Sequence, residues 1–235
     1  MRKLRHVVTV STASRDDIAS AFGISPAAID VIHNGIDTDS FCPMPEIERA
    51  QDLLMTVASA DQPLKGLSYL LEALARLRRT RPELKLLVIG KLREESDTRD
   101  RIAELDLQSA VTFRSGLSRE ALVECYARAT IAVVPSLYEG FGLPAGEAMS
   151  CGVPVVSTRG GALAEVVGDA GSLVPPGDAK ALAHAVDALL EDPARRTGLA
   201  ARGRARVLEH FSWNVAALRM SAYYADMLDR EAPQA

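Results

Sequence analysis

Cysteine is scarce in this chain, and its three thiols, Cys42, Cys125 and Cys151, lie too far apart to form any C-x-x-C pair. That spacing excludes a disulfide framework and the usual zinc-site patterns, and it reads as three reduced, partly buried thiols in a cytosolic protein. The four histidines, His6, His33, His184 and His210, show no i, i+4 pairing, so no metal ligation and no metal cofactor are expected. No apolar run approaches the ~20 residues that cross a bilayer. Nothing near Met1 has the apolar core of a signal peptide, and the expected location is cytoplasmic, with no stable membrane insertion. Positive charge is not in excess. A net charge of -4 and a pI near 5.6 argue against nucleic acid as a partner, which calls for a basic stripe that displaces counterions. Internal repeats and low-complexity tracts are missing as well.

What is present is alternation. With 48% hydrophobic and 25% charged residues over 235 positions, the chain is long enough to bury a real core. The runs "LLMTVAS", "LKLLVIG", "AVTF", "IAVVPS", "VPVVST" and "GSLV" read as strands, several apolar on both faces as covered parallel strands are. Helical patterns lie between them. "LSYLLEALARLRR" sets Leu67, Leu70, Leu71, Leu74 and Leu77 on one face, while Asp178 and Asp192 stand where helix N-caps belong, the latter before Pro193. This order predicts an α/β fold, a doubly wound parallel sheet of Rossmann type, with ligands at the carboxyl ends of the strands.

Two segments fall outside that unit. Residues 1–40 read as strand ("HVVTVS"), helix capped by Ser14 and running through Phe22, and strand ("IDVIHNG"); "CPMPEIERAQ" then reads as a linker. The expected organisation is therefore 1–40, 41–210 and 211–235. The last part is a long helix with Trp213, Leu218, Tyr223, Tyr224 and Leu228 as an apolar stripe, followed by a frayed tail.

The chemistry concentrates in "PSLYEGFGLPAGEAMSCGVPVVST". A strand ends there, Gly140 and Gly142 let backbone approach a ligand, and Pro144 suits the first turn of a helix running to about Ser150. Free amides at a helix start attract anions. Glu139 precedes the glycines and Glu147 follows in about the first turn of the helix; as ionised acceptors they suit vicinal hydroxyls of a sugar or ribose. Taken singly, Glu139 reads equally as a solvated loop residue and Glu147 as a partner of the helix dipole. A rival pattern uses the same glycines: Gly140-x-Gly142-x-x-Ala145, with Arg159 where a 2′-phosphate would lie, matches an NADP-binding Rossmann oxidoreductase.

"EGFGLPAGEA" resembles the E-x7-E signature of the retaining nucleotide-sugar glycosyltransferases of family 4, which have the two-domain GT-B fold. "VIHNGIDTDSFCP" resembles that family's inter-domain junction, "PLKGLSYLLEAL" its Lys-Gly phosphate motif, and "GGALAEVVGDAGSLVPPGD" its following strand and turn. The resemblance covers nearly the whole chain in order and implies the carboxy-terminal, donor-binding half of a GT-B enzyme. It implies a nucleoside diphosphate sugar as donor substrate, no cofactor, and a saccharide or lipid-linked acceptor, with only transient visits to a membrane face. Glu139 would hold donor-sugar hydroxyls and Glu147 the ribose. The amides of Phe141, Gly142 and Leu143 would lie along sugar and diphosphate, and Lys65 would neutralise the leaving diphosphate; Lys65 and Glu139 are thus the catalytic candidates.

Two departures qualify it. Ala60 stands where the family carries a phosphate-binding arginine, leaving Arg114 or Arg159 as candidate substitutes, and "VTFRSG" is one residue longer than the family's pattern near the nucleobase. By that resemblance, residues 1–40 would be a remnant of the amino-terminal domain of such enzymes, and would then seek a second copy or the missing domain. A nucleotide-sugar-binding domain without turnover is the alternative function.

Overall fold

The computed structural model describes residues 6–58 and 62–231. Its centre is a parallel sheet of six strands: β3 (Leu53–Val57), β4 (Lys85–Ile89), β5 (Val111–Arg114), β6 (Ile131–Val134), β7 (Val155–Thr158) and β8 (Ser172–Val174), in the order β5-β4-β3-β6-β7-β8. Two short strands precede it, β1 (Val8–Thr9) and β2 (Asp30–Val31), paired in parallel with Val8 opposite Asp30. Nine α-helices among the described residues connect and cover these strands. They are α1 (Thr12–Phe22), α2 (Leu67–Leu77), α3 (Asp97–Glu104), α4 (Arg119–Arg128), α5 (Leu143–Ser150), α6 (Leu163–Val167), α7 (Ala179–Glu191), α8 (Pro193–His210) and α9 (Trp213–Glu231). No helix among the described residues is long and apolar enough to cross a membrane.

The predicted strands form for the reason their sequence suggests. Side chains of a strand alternate between faces, and here both faces are apolar. Leu54, Leu86, Val88, Ile131, Val133 and Val156 enter one core with the leucines of α2 and with Leu182, Val186 and Leu189 of α7. Met55, Leu87, Ala132, Val134 and Val155 enter the other with Tyr126 of α4, Met149 of α5, Val166 of α6 and Val207 of α8. Register keeps the first of these cores continuous across the sheet, since Leu54 stands opposite both Leu86 and Ile131. The predicted caps at Asp178 and Asp192 are present, accepting from the amides of Ala181 and Arg195 at 2.8 Å each.

Helix α1 departs from expectation at its start. Ser11, extended at the end of β1, is the cap, and its Oγ accepts from the Ser14 amide at 3.0 Å; Ser14 itself lies inside the helix. After β2 the chain turns back: the Ile36 amide donates to Phe211 O and the Trp213 amide to Ile36 O, tying this segment to the entry of α9. Arg204 of α8 gathers the carbonyls of Thr38, Phe41 and Ser150, fixing the start of the linker.

The expected stripe on α9 is corrected. Trp213, Leu218, Tyr224 and Leu228 are exposed, whereas Val215, Ala216, Met220, Tyr223 and Met227 are wholly or partly buried. At roughly 100° per residue, positions 213, 224, 228 and 218 lie on one side of the helix, the side left to solvent, whereas 216, 220, 223 and 227 share the side turned to the domain. Beside α9 lies an open, largely apolar groove of about 450 Å³ lined by Val8, Ile32, Trp213, Ala216 and Met220.

Candidate functional site

Consecutive strands of the sheet run β3, β4, β5 outward from the middle and then β6, β7, β8 outward on the other side. The chain reverses direction between β3 and β6, and the loops leaving their carboxyl ends diverge to opposite faces, opening a crevice at that switch point. Both predicted motifs lie there. After β3, a single 3-10 turn, Pro63–Lys65, ends in Gly66 with φ +67°, and α2 follows. A Cβ on Gly66 would stand 2.0 Å from Pro135 O, so only glycine lets the two loops touch. They are joined there by the Leu137 amide, which donates to Leu64 O at 2.8 Å.

This close approach brings Lys65 to Glu139. Lys65 Nζ donates to Glu139 Oε1 at 2.8 Å, and Ser136 Oγ donates to the same oxygen at 2.8 Å. The pair is partly shielded, with Glu139 the more buried member. Oε2 of Glu139 has no protein partner among the described residues, and Lys65 retains two further N–H donors. A cation and an acceptor thus stand side by side at the sheet edge. The Glu139 carbonyl accepts from the Ala162 amide, and the Gly140 carbonyl from Ser11 Oγ and Ser14 Oγ.

The next residues behave differently from one another. Phe141 buries its ring near those of His33 and Phe211. Gly142, at φ +100°, is the N-cap of α5, and its Cα faces Leu163, where a Cβ would meet Cδ2 at 2.7 Å. A glycine here is required by packing against Leu163 and by the left-handed turn. Leu143 is exposed at the first helical position, followed by Pro144. The amides of Phe141, Gly142 and Leu143 find no acceptor among the described residues, so three consecutive donors remain at the amino end of α5, as an anion site requires.

Glu147 sits one turn further along α5 than expected, so it is no partner of the helix start. It is half-buried on the face toward α4, where Tyr126 OH donates to its Oε2 at 3.1 Å. Burial raises its carboxyl above the usual carboxylate range, opposed by the Tyr126 hydrogen bond and by the charge of Arg119. The Tyr126 phenol, fully buried beside that carboxylate, is pushed well above its ordinary value. Ser136 and Tyr126 were not singled out from the sequence. Ser136 stands three residues before Glu139 and was legible as a local partner; Tyr126 lies on an amphipathic helix with no local mark.

The remaining candidates scatter. Ala60 lies outside the described residues. Arg114 is at the outer strand β5 with its guanidinium on Cys125 Sγ at 3.4 Å, and Arg159 is exposed after β7. The dinucleotide reading is overturned by topology. That fingerprint belongs in the first turn of the doubly wound unit, after β3, whereas Gly140 and Gly142 follow its fourth strand, β6. Among the described residues no group of three or more His, Cys, Asp or Glu side chains is placed to hold a metal ion.

The family model described as glycosyl transferases group 1 matches residues 45–206, enclosing both loops of the crevice. The chain belongs to the group 1 glycosyl transferases. A second model, described as glycosyltransferase family 4, matches residues 1–40. Among relatives of this group 1 chain, an MMP alpha-(1->4)-mannosyltransferase of Mycolicibacterium hassiacum is 42% identical over 98% of the chain and 56% of that protein. A sucrose-phosphate synthase of Thermosynechococcus elongatus shares the fold at TM-score 0.81 and 32% identity, over 96% of this chain and 59% of that one. The Anabaena protein HepE, solved with UDP-glucose, superposes at TM-score 0.83 with 23% identity, over 94% and 64%, a likeness of fold. The chain spans somewhat more than half the length of the curated relatives it matches. Its architecture is that of the carboxy-terminal, Rossmann-like half of a GT-B fold.

Proposed function

We propose that this chain binds a nucleoside diphosphate sugar at the β3–β6 crevice and supplies the donor side of a retaining, family 4 hexosyl transfer to a sugar or lipid-linked acceptor. The observation that carries the reading is the Lys65–Glu139 pair beside three unpaired amides at the start of α5. Lys65 and the amides suit a diphosphate, Glu139 Oε2 suits a sugar hydroxyl, and Glu147 suits a ribose. The names of the mannosyltransferase and of HepE with UDP-glucose agree with a sugar nucleotide as donor.

In this reaction the bond from the anomeric carbon to the phosphate oxygen breaks while the acceptor oxygen bonds to that carbon on the same face. The acceptor proton passes to the departing phosphate, and a nucleoside diphosphate leaves. Negative charge grows on the leaving group, and a fixed ammonium with aligned amides stabilises it without reorganisation. No metal and no cofactor are called for. Binding without turnover by this chain is the second reading.

Calorimetric titration with UDP-, GDP- and ADP-sugars tests this. One donor should bind; Lys65→Ala should weaken it and its free nucleotide about 10- to 100-fold, the worth of a charge-assisted bond. Glu139→Ala should weaken only the sugar-bearing form, and Glu147→Ala every ribonucleotide. Equal losses in Glu139→Ala for nucleotide and nucleotide sugar contradict the assignment. Adding a family amino-terminal domain in trans and assaying transfer separates the two readings.

A further inference from the structure

Two hydroxyls from outside the sheet converge on one peptide of the crevice. Ser11, wholly buried at the cap of α1, donates from Oγ to Gly140 O at 2.7 Å, and Ser14, one turn on, donates to the same oxygen at 3.1 Å. The neighbouring Tyr138 OH bonds Asp17 of the same helix. The start of α1 is itself seated on α6: Glu165 accepts from the Thr12 amide and hydroxyl at 2.9 Å each and bonds His33 Nε2 at 2.7 Å. On its other flank the loop is held by the Ala162 amide on Glu139 O at 2.9 Å. Residues 138–140 are therefore gripped from both sides around Glu139.

A trans peptide is planar, with its C=O and N–H pointing in opposite directions. Fixing the Gly140 carbonyl toward α1 thus aims the Phe141 amide away from α1. That amide is the first of the three without a protein acceptor. We propose that Ser11 and Ser14 are positioning residues of the donor site, a hydroxyl clamp that sets the Phe141 amide for the diphosphate and sugar. The inference rests on the donor reading above and extends it: the segment before the linker completes the site from the far side of the loop. Removing one hydroxyl lets the peptide rotate, and the aim of that amide is lost while Glu147, held on α5 by Tyr126, is undisturbed.

Ser11 also caps α1, so Ser14 gives the cleaner test. The intact chain, Ser14→Ala and Ser14→Thr are titrated with UDP, GDP and ADP, their sugars and the corresponding monophosphates, and melting temperatures are recorded. Ser14→Ala should weaken the diphosphate and its sugar about 3- to 10-fold, the usual worth of one hydrogen bond, and leave the monophosphate unchanged. Ser14→Thr, which keeps the hydroxyl, should restore binding. Unchanged diphosphate affinity in Ser14→Ala overturns the clamp alone. Equal loss for monophosphate and diphosphate, or loss matched by a lower melting temperature in both variants, overturns it in favour of a purely structural role. Failure of the intact chain to bind any of these nucleotides overturns the donor reading and the clamp with it.

Discussion

Two strand–helix–strand units of this chain follow the same plan with unequal means. In β3–α2–β4, five-residue strands pair along their full length and α2 buries Leu67, Leu70, Leu71, Leu74 and Leu77. In β1–α1–β2, the strands are two residues long, α1 buries only Ala19, and Phe22 lies exposed. The first unit is held by apolar area. The second is held in place by polar contacts with the domain, through Glu165, Gly140 and Tyr138. Hydrophobic burial is proportional to area and needs no particular partner, whereas hydrogen bonds are directional and depend on one atom each. The first arrangement therefore sets stability, and the second sets position, at the loop where the donor is proposed to bind.

The largest effect that would test this contrast is Leu74→Ala. Truncating a wholly buried leucine in α2 should cost about 2–5 kcal/mol in urea unfolding, and a loss under about 1 kcal/mol would break the comparison. Next comes Gly66→Ala, which forces a left-handed residue against Pro135 O; a cost of about 1–3 kcal/mol is expected, with diphosphate binding lost beyond what stability explains. Glu165→Ala should release α1. Amides of residues 12–22 should exchange with deuterium faster, while those of β3 and β4 keep their protection; uniform loss across the domain would show that the two units are one.

A smaller effect concerns pH. Because the folded pKa of Glu147 lies above its unfolded value, its contribution favours folding below the unfolded carboxylate pKa, near 4.5, and is lost as pH rises through the folded one. Glu147→Gln should therefore be somewhat more stable than the parent at neutral pH, with the advantage vanishing as pH falls below that value. The same advantage at both ends of the range would mean that ionisation is not its source. Smallest of all, Leu218→Ser on the exposed face of α9 should move unfolding by less than about 0.5 kcal/mol. If sedimentation shows the chain as a dimer that this change dissolves, the exposed face of α9 is an interface, and the contrast between buried and exposed apolar residues must be redrawn for the assembly.

Much of the fold was legible because its signals are local. Runs of β-branched residues marked β6 and β7, leucines at helical spacing marked the buried face of α2, and aspartates before helical runs marked two caps. The α9 stripe failed because spacing along a helix groups residues by side but does not tell which side the domain covers. Glu139 and Lys65 were legible as chemistry, and Gly142 as glycine, but the reason for that glycine was not, since Leu163 comes from another element. Tyr126 carried no local mark, and Ser11 and Ser14 were marked at most as helix caps, because the contacts with Glu147 and Gly140 reach partners distant in sequence.

Taken alone, the sequence determined the class of fold, the carboxylates and the lysine that give the crevice its chemistry, and the family to which they belong, because composition, periodicity and short motifs are properties of neighbours along the chain. Tertiary structure decided which of these groups meet. Lys65 reaches Glu139 across 74 positions, and Ser11 reaches Gly140 across 129, only because the crossover after β5 carries the chain back to the middle of the sheet. Hydrogen bonds form between groups within about 3 Å, and no reading of neighbours reports distances that the fold alone creates.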